Sequence, residues 1–156
     1  EAALRADRRA RETRRAAPHS SGILAALLTF MILGAMIAIY RAGLIKWDRN
    51  LAIAVYSSLF AIILIYIFSF VGSITGWFHV PYIHGAGPVG IAFSLFVIGI
   101  GALCLVADFD FIERGVQMGA PKQLEWRAAF GLMVTLVWLY LEILKLLAKI
   151  AIYSRR

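Results

Sequence analysis

Four long apolar blocks, separated by short segments rich in charge, glycine and proline, make up most of the chain. We place them at about 22–40, 51–71, 89–107 and 128–153. A helix that crosses a bilayer needs about 20 predominantly apolar residues, and these blocks are of that length. The first three are apolar around the whole helix, as expected where lipid or other helices surround it. The pattern predicts an all-α integral membrane protein with four transmembrane helices.

The fourth block carries charged residues inside its apolar sequence. Glu142, Lys145 and Lys149 follow one another at helical spacing and share one face of the helix. A carboxylate within a membrane is costly and normally faces the interior of a helix bundle. Two simpler interpretations are a Glu142–Lys145 pair three residues apart and side chains that reach along the helix toward the headgroups.

The third block presents small residues on one face. Gly90, Ser94 and Gly101 lie within a narrow sector of the helix, and Asp108 continues that sector at the end of the block. Small residues let helices approach closely in lipid, so we expect this face to be buried against a neighbour. Asp108 then either faces inward or lies in the water among the headgroups.

Composition supports a membrane protein and excludes several other classes. The chain of 156 residues is 62 % hydrophobic and 16 % charged, and its mean hydropathy is +0.80, which is far from the composition of a soluble domain. The lone cysteine, Cys104, excludes an internal disulfide and a cysteine-based metal cluster. No set of residues forms a catalytic triad or dyad, so we predict neither an enzyme nor a bound cofactor. The net charge of +7 comes from basic residues beside apolar blocks and does not indicate nucleic-acid binding.

The basic residues also define the domain division that we predict. Six arginines lie within residues 1–21, which we predict to be a disordered segment or one foreign to the transmembrane domain at 22–156. Segments 41–50 and 108–127 carry three basic residues each and 72–88 carries none, which favours an extracytosolic position for 72–88. The arginine-rich segment would then lie outside the cytosol, against the usual rule. We therefore expect the chain to be a fragment that lacks upstream spans.

The segment between the second and third blocks contains aromatic and histidine residues. Trp77, Phe78 and Tyr82 are typical of an aromatic belt at a membrane interface. His79 and His84 are not spaced as a helical pair of metal ligands and have no carboxylate nearby, so we predict no metal site there.

The last third of the chain resembles a known family. Residues 103–150, which include the runs ADFDFI and LYLEIL, resemble the C-terminal part of the Bax inhibitor-1/YccA-like membrane proteins in their bacterial branch. Residues 87–103 and the turn at 40–46 fit the same branch. The resemblance implies a bundle of seven helices whose last helix is central, with the four blocks here as the last four. It also implies location in a bacterial cytoplasmic membrane.

The same resemblance implies a function and its residues. Family members are associated with a pH-sensitive calcium leak, in which an acidic residue that ends the sixth helix pairs with one in the seventh. The matching positions are Asp108 and Glu142, although the family usually has aspartate at the second position and a shorter segment between the two. In that hypothesis a proton shared by two carboxylates holds the helices together, and its loss drives them apart.

The remaining candidates are weaker. Asp110, Glu113 and Lys145 are secondary candidates for the proton-sensing site or the ion path, since clustered oxygen ligands suit Ca²⁺. The alternative function is a non-conducting membrane protein that binds or regulates another membrane protein, such as a protease, through the small-residue face at Gly90 and Gly101. The expected partners are the lipid bilayer, Ca²⁺ as a transported ion, and such a membrane protein.

Overall fold

The computed structural model describes residues 1–76 and 85–155, with the backbone alone for residues 13–19. This part of the chain forms four α-helices: α1 (Ala2–Arg41), α2 (Arg49–Thr75), α3 (Pro88–Gln117) and α4 (Gln123–Ser154). Each contains a stretch long and apolar enough to cross a membrane, the stretch in α1 being Ser20–Arg41. The prediction of an all-α protein with four transmembrane helices is confirmed.

The ends of the helices follow the local sequence. Asp48 precedes α2, and its carboxylate accepts a hydrogen bond of 2.7 Å from the backbone N–H of Arg49. Gly76 ends α2 in the left-handed conformation, and Pro88 begins α3, where a missing N–H costs nothing. The third helix continues to Gln117, ten residues beyond the predicted block. Gly115 stays helical within it, and the helix ends before Gly119, whose φ is +60°.

The first helix begins well before the predicted first span. The composition of residues 1–21 predicts a disordered segment or one foreign to the transmembrane domain, whereas α1 is continuous from Ala2 to Arg41. Alanine and arginine dominate this segment and have high helix propensity. An ion pair of 2.9 Å between Arg11 and Asp7, four residues apart, further supports the helix.

The four helices run alternately up and down, and α3 and α4 form the centre. These two pack antiparallel along most of their length, α1 packs against both, and α2 packs against α3. Leu105, Val106 and Leu139 are buried where α1, α3 and α4 meet, while Ile62 and Val97 are buried between α2 and α3. Many large apolar side chains elsewhere are exposed, as expected for surfaces that face lipid or other membrane helices.

The predictions for the α2–α3 segment concern residues outside the described part of the chain. They are the aromatic belt at Trp77, Phe78 and Tyr82 and the histidines His79 and His84.

Candidate functional site

A close approach of α3 to α4 sets the geometry of the site. Gly101 is buried on α3, and a Cβ atom at this position would lie 2.7 Å from Cδ2 of Leu139 on α4. A side chain at this position would require the Leu139 side chain to shift. The small-residue face at Gly90, Ser94 and Gly101 is therefore buried against α4 of the same chain.

Glu142 lies at the centre of a polar cluster that joins two helices. Glu142 is 2 % exposed. The hydroxyl of Tyr66 on α2 donates a hydrogen bond of 2.9 Å to Oε1 of Glu142, and Nζ of Lys145 lies 3.0 Å from the same oxygen. The ammonium of Lys145 also lies 5.2 Å from the centre of the Tyr66 ring, within range of a cation–π contact. We call Tyr66, Glu142 and Lys145 the polar cluster.

Lys149 extends this arrangement by two helical turns toward the start of α3. Its Nζ donates hydrogen bonds of 2.8 Å to Oγ of Ser94 and 3.1 Å to the backbone carbonyl of Gly90. A cavity of about 290 Å³ lies between α2, α3 and α4 beside these residues. We call it the α2–α4 cavity, and its lining comprises Tyr66, Phe93, Ser94, Glu142, Lys145, Ala148, Lys149 and Ile152.

Asp108 lies elsewhere on the same helix–helix interface. A Cβ on Gly131 of α4 would lie 3.8 Å from its Oδ1, and the hydroxyl of Thr135 approaches the carboxyl. Its Oδ2 is buried and has no hydrogen-bond partner among the described residues. Asp108 thus faces the interior of the bundle. The alternative interpretation, in which its carboxylate lies in water among the headgroups, does not hold for Oδ2.

The predicted pair of carboxylates does not form. Asp108 faces Gly131 and Thr135, whereas Glu142 contacts Tyr66 and Lys145. Seven residues separate Thr135 from Glu142, which is about 10 Å along a helix axis. The reason is the helix boundaries: α3 and α4 are joined by a short turn, so antiparallel packing sets Asp108 opposite the first third of α4. The simpler interpretation, in which Glu142 pairs with Lys145, is the one that the structure shows.

Lys145 belongs to the polar cluster. The other secondary candidates, Asp110 and Glu113, lie at the opposite end of α3 from that cluster. Asp110 forms an ion pair of 2.8 Å with Arg114, and Glu113 accepts a short hydrogen bond from the hydroxyl of Tyr40 on α1. Both acids line a second cavity, of about 760 Å³, formed by α1, α3 and the turn that follows α1. No three metal-ligating side chains cluster within residues 1–76 and 85–155.

Sequence reasoning missed two members of this site. Tyr66 lies in a block whose other residues are almost all apolar. A phenolic hydroxyl buried in such a block usually finds a hydrogen-bond partner, so the tyrosine itself indicated a polar contact. Ser94 was identified as a packing residue, whereas its hydroxyl also accepts a hydrogen bond from Lys149. That role depends on the register of α3 against α4, which no local pattern reveals.

Comparison with known proteins gives one match. A family model described as Bax inhibitor 1 like matches residues 16–152. Neither the curated proteins nor the solved structures give a significant match. The matched region contains the first three apolar stretches, all but the last two residues of the fourth, the polar cluster and Asp108.

Proposed function

The chain belongs to the Bax inhibitor 1 like family, and from this premise we propose that it is a multi-pass membrane protein through which cations, calcium among them, leak in response to pH. We also propose a bacterial cytoplasmic membrane as its location, on the resemblance of residues 103–150 to the bacterial branch. The observation that carries the leak proposal is the burial of Glu142 in a polar cluster that joins α2 to α4.

The polar cluster acts as a lock in this proposal. The second helix packs against α3, and the described polar contacts between α2 and α4 are those of Tyr66 with Glu142 and Lys145. Loss of these contacts leaves α2 free to move away from α4 and widens the space between them. A polar cluster that links a helix to a second neighbour in two alternative arrangements is the kind of two-state element that a gate requires.

Loss of the charge on Glu142 releases the lock. An ionised Glu142 attracts Lys145 and accepts the hydrogen bond of Tyr66, and a neutral carboxyl no longer attracts the ammonium. The side chain of Lys145 is already 55 % exposed, so it can turn toward the headgroup region once released. Neutralising Glu142 therefore opens the gate, which is the opposite consequence from that in a carboxylate pair held together by a shared proton.

The path for the cation begins in the space between α2 and α4 beside Glu142. Glu142 and Asp108 place carboxylate oxygens at two levels along α4, and oxygen ligands of this kind suit Ca²⁺. While Lys145 stays beside Glu142, its positive charge repels a cation at that level. Asp108, with a buried oxygen lacking a partner among the described residues, is the acid available to a cation or proton.

The experiment is calcium flux into vesicles that contain the protein and an internal calcium dye, measured across pH 5 to 8. We expect Glu142→Gln to leak more than the unaltered protein at every pH, with a weakened pH response. The matched control is Glu125→Gln, which changes an exposed glutamate on the same helix. Flux equal to that of protein-free vesicles at every pH would refute the leak and favour the non-conducting alternative. A normal pH response in Glu142→Gln would refute the lock.

A further inference from the structure

The cavity of about 760 Å³ between α1, α3 and the turn that follows α1 carries both signs of charge on its walls. We call it the α1–α3 cavity. Arg41 and Lys46 line it on the side of α1 and the turn, and two acids line it on the side of α3, Asp110 and Glu113. We propose that this cavity binds the headgroup of an aminophospholipid, with the phosphate at the two basic residues and the primary ammonium at Glu113.

The two acids differ in what already compensates their charge. Asp110 forms an ion pair of 2.8 Å with Arg114, so its charge is matched within α3. Glu113 accepts hydrogen bonds from two neutral groups, the hydroxyl of Tyr40 and, at 3.4 Å, the side-chain amide of Gln117. It forms no ion pair with the side chains that the structure describes. Glu113 is therefore the acid that a cationic group in the cavity would meet.

The two basic side chains have no such compensation. Among the side chains that the structure describes, Arg41 and Lys46 take part in no hydrogen bond and no ion pair, and both residues are exposed. Guanidinium and ammonium groups bind phosphate oxygens, and a ligand ammonium donates charge-assisted hydrogen bonds to a carboxylate. A ligand with one sign of charge would leave either Glu113 or the two bases unmatched. A phosphate joined to a primary amine matches both.

The wall that carries the basic residues is shaped before a ligand binds. The turn after α1 is closed at Gly43, whose φ is +71° and whose backbone N–H donates a hydrogen bond of 3.1 Å to the carbonyl of Tyr40. The N–H of Leu44 donates a second one, of 3.2 Å, to the carbonyl of Ile39, which is the common way to end a helix at glycine. Trp47 then packs against the core shared by α1, α3 and α4. A preformed wall lowers the cost of ordering the site on binding.

The depth of the charged residues follows the order of groups in the headgroup. The apolar stretch of α1 ends at Arg41, which places this residue at the boundary of the hydrocarbon core. On α3, Glu113 lies six residues beyond Ala107, the end of the apolar block, which is about 9 Å along the axis. The headgroup region extends about 5–8 Å beyond each side of the core. The bases thus lie on the inner side, where the phosphate is, and the acid on the outer side, where the amine is.

An apolar surface leads from the cavity toward the hydrocarbon core. Ile37 lines the cavity one helical turn before Arg41 and is exposed. Phe30 lies seven residues earlier on the same face of α1 and is exposed as well. An acyl chain attached to a headgroup in the cavity can lie along this face, so the bound lipid stays within its leaflet.

The test measures lipid binding directly and does not depend on the proposed leak. The full chain in a neutral detergent is titrated with phosphatidylethanolamine, phosphatidylglycerol or phosphatidylcholine, and bound lipids are counted by native mass spectrometry. Phosphatidylglycerol keeps the phosphate and lacks the ammonium, whereas phosphatidylcholine carries an ammonium without N–H donors. We expect one phosphatidylethanolamine to bind about fivefold more tightly than either of the other lipids.

Substitutions separate the two halves of the headgroup. Glu113→Gln should abolish the preference for phosphatidylethanolamine over phosphatidylglycerol, because only the first lipid carries an ammonium for the carboxylate. Lys46→Gln should weaken the binding of all three lipids about fivefold, and Lys46→Arg should restore it. The matched controls are Glu125→Gln and Arg49→Gln, which change exposed residues at the same end of the bundle outside the cavity lining. Neither control should alter the binding of any lipid.

Four results would overturn the proposal. They are equal binding of the three lipids, tighter binding of phosphatidylglycerol than of phosphatidylethanolamine, an unchanged preference in Glu113→Gln, and displacement of the lipid by millimolar phosphoethanolamine, which would identify a site for a soluble ligand. If Glu113→Gln does not fold, the preference among the lipids and the effect of Lys46→Gln decide, because Lys46 has no polar contact with the described side chains to lose. Flux equal to that of protein-free vesicles while phosphatidylethanolamine still binds selectively would refute the leak alone.

Discussion

Replacing Tyr66 by phenylalanine removes one hydroxyl from the polar cluster and leaves the rest of the side chain in place. The lost interaction is the hydrogen bond of 2.9 Å from Tyr66 to Oε1 of Glu142. The ring stays, so the contact with Lys145 at 5.2 Å and the packing on α3 are retained. The variant therefore weakens the link between α2 and α4 without creating a large cavity.

The size of the effect follows from the worth of such a bond in a membrane. Hydrogen bonds between transmembrane helices average about 0.6 kcal/mol and reach about 1.7 kcal/mol. Because every 1.4 kcal/mol changes an equilibrium tenfold, the ratio of open to closed protein should rise about 3- to 20-fold. When the open form is rare, the calcium leak rises by the same factor.

The assay is calcium flux into dye-loaded vesicles at neutral pH, with equal amounts of protein confirmed for each variant. Tyr56→Phe is the matched control, since Tyr56 lies on the same helix, is 57 % exposed and contacts Trp47 through its ring. We expect Tyr56→Phe to leak like the unaltered protein. In Glu142→Gln, the further change Tyr66→Phe should add less than it does alone, because both act on one cluster.

Two results would show that the reasoning is wrong. A leak that is unchanged in Tyr66→Phe would mean that the hydrogen bond does not hold the closed form. Full additivity of Tyr66→Phe and Glu142→Gln would mean that the two residues act independently and do not form one lock.

The other predictions concern packing and the unpartnered acid. Gly101→Ala should lower the free energy of unfolding by about 1–3 kcal/mol in chemical denaturation, because the added Cβ overlaps Leu139. The control Gly99→Ala, whose Cβ has nothing within 4 Å, should not lower it. Equal effects of the two substitutions would contradict this packing. Asp108→Asn should raise stability by at most about 3 kcal/mol and lower the calcium leak, since it removes a buried charge. Asp110→Asn loses an ion pair with Arg114 and should change the free energy of unfolding by less than about 1 kcal/mol. A larger change in Asp110→Asn than in Asp108→Asn would contradict this ranking of the two acids.

The helices could be predicted from the sequence because long apolar blocks constrain membrane helices strongly. Their ends could not, since polar residues beyond Ala107 remain helical outside the apolar block and only Gly119 and Pro121 break the pattern. The segment at 1–21 has helix-forming residues but no apolar periodicity, so its composition alone suggested disorder.

The partners of Glu142 show where sequence reasoning stops. The pairing with Lys145 is local, three residues along one helix, and was among the interpretations of the sequence. The bond to Tyr66 spans 76 positions and depends on how α2 sits against α3 and α4. The expected partner, Asp108, is on the right face of α3 but at the wrong level, because a helical face specifies direction and leaves the axial register open.

The leak of Glu142→Gln tests the lock most directly. Calcium flux into vesicles should be measured from pH 8 to pH 5 for the unaltered protein and for Glu142→Gln, with Glu125→Gln as the control. The ion pair between Glu142 and Lys145 predicts a leak that is higher in Glu142→Gln than in the unaltered protein and in Glu125→Gln at every pH. A leak in Glu142→Gln equal to that of the unaltered protein would contradict the lock.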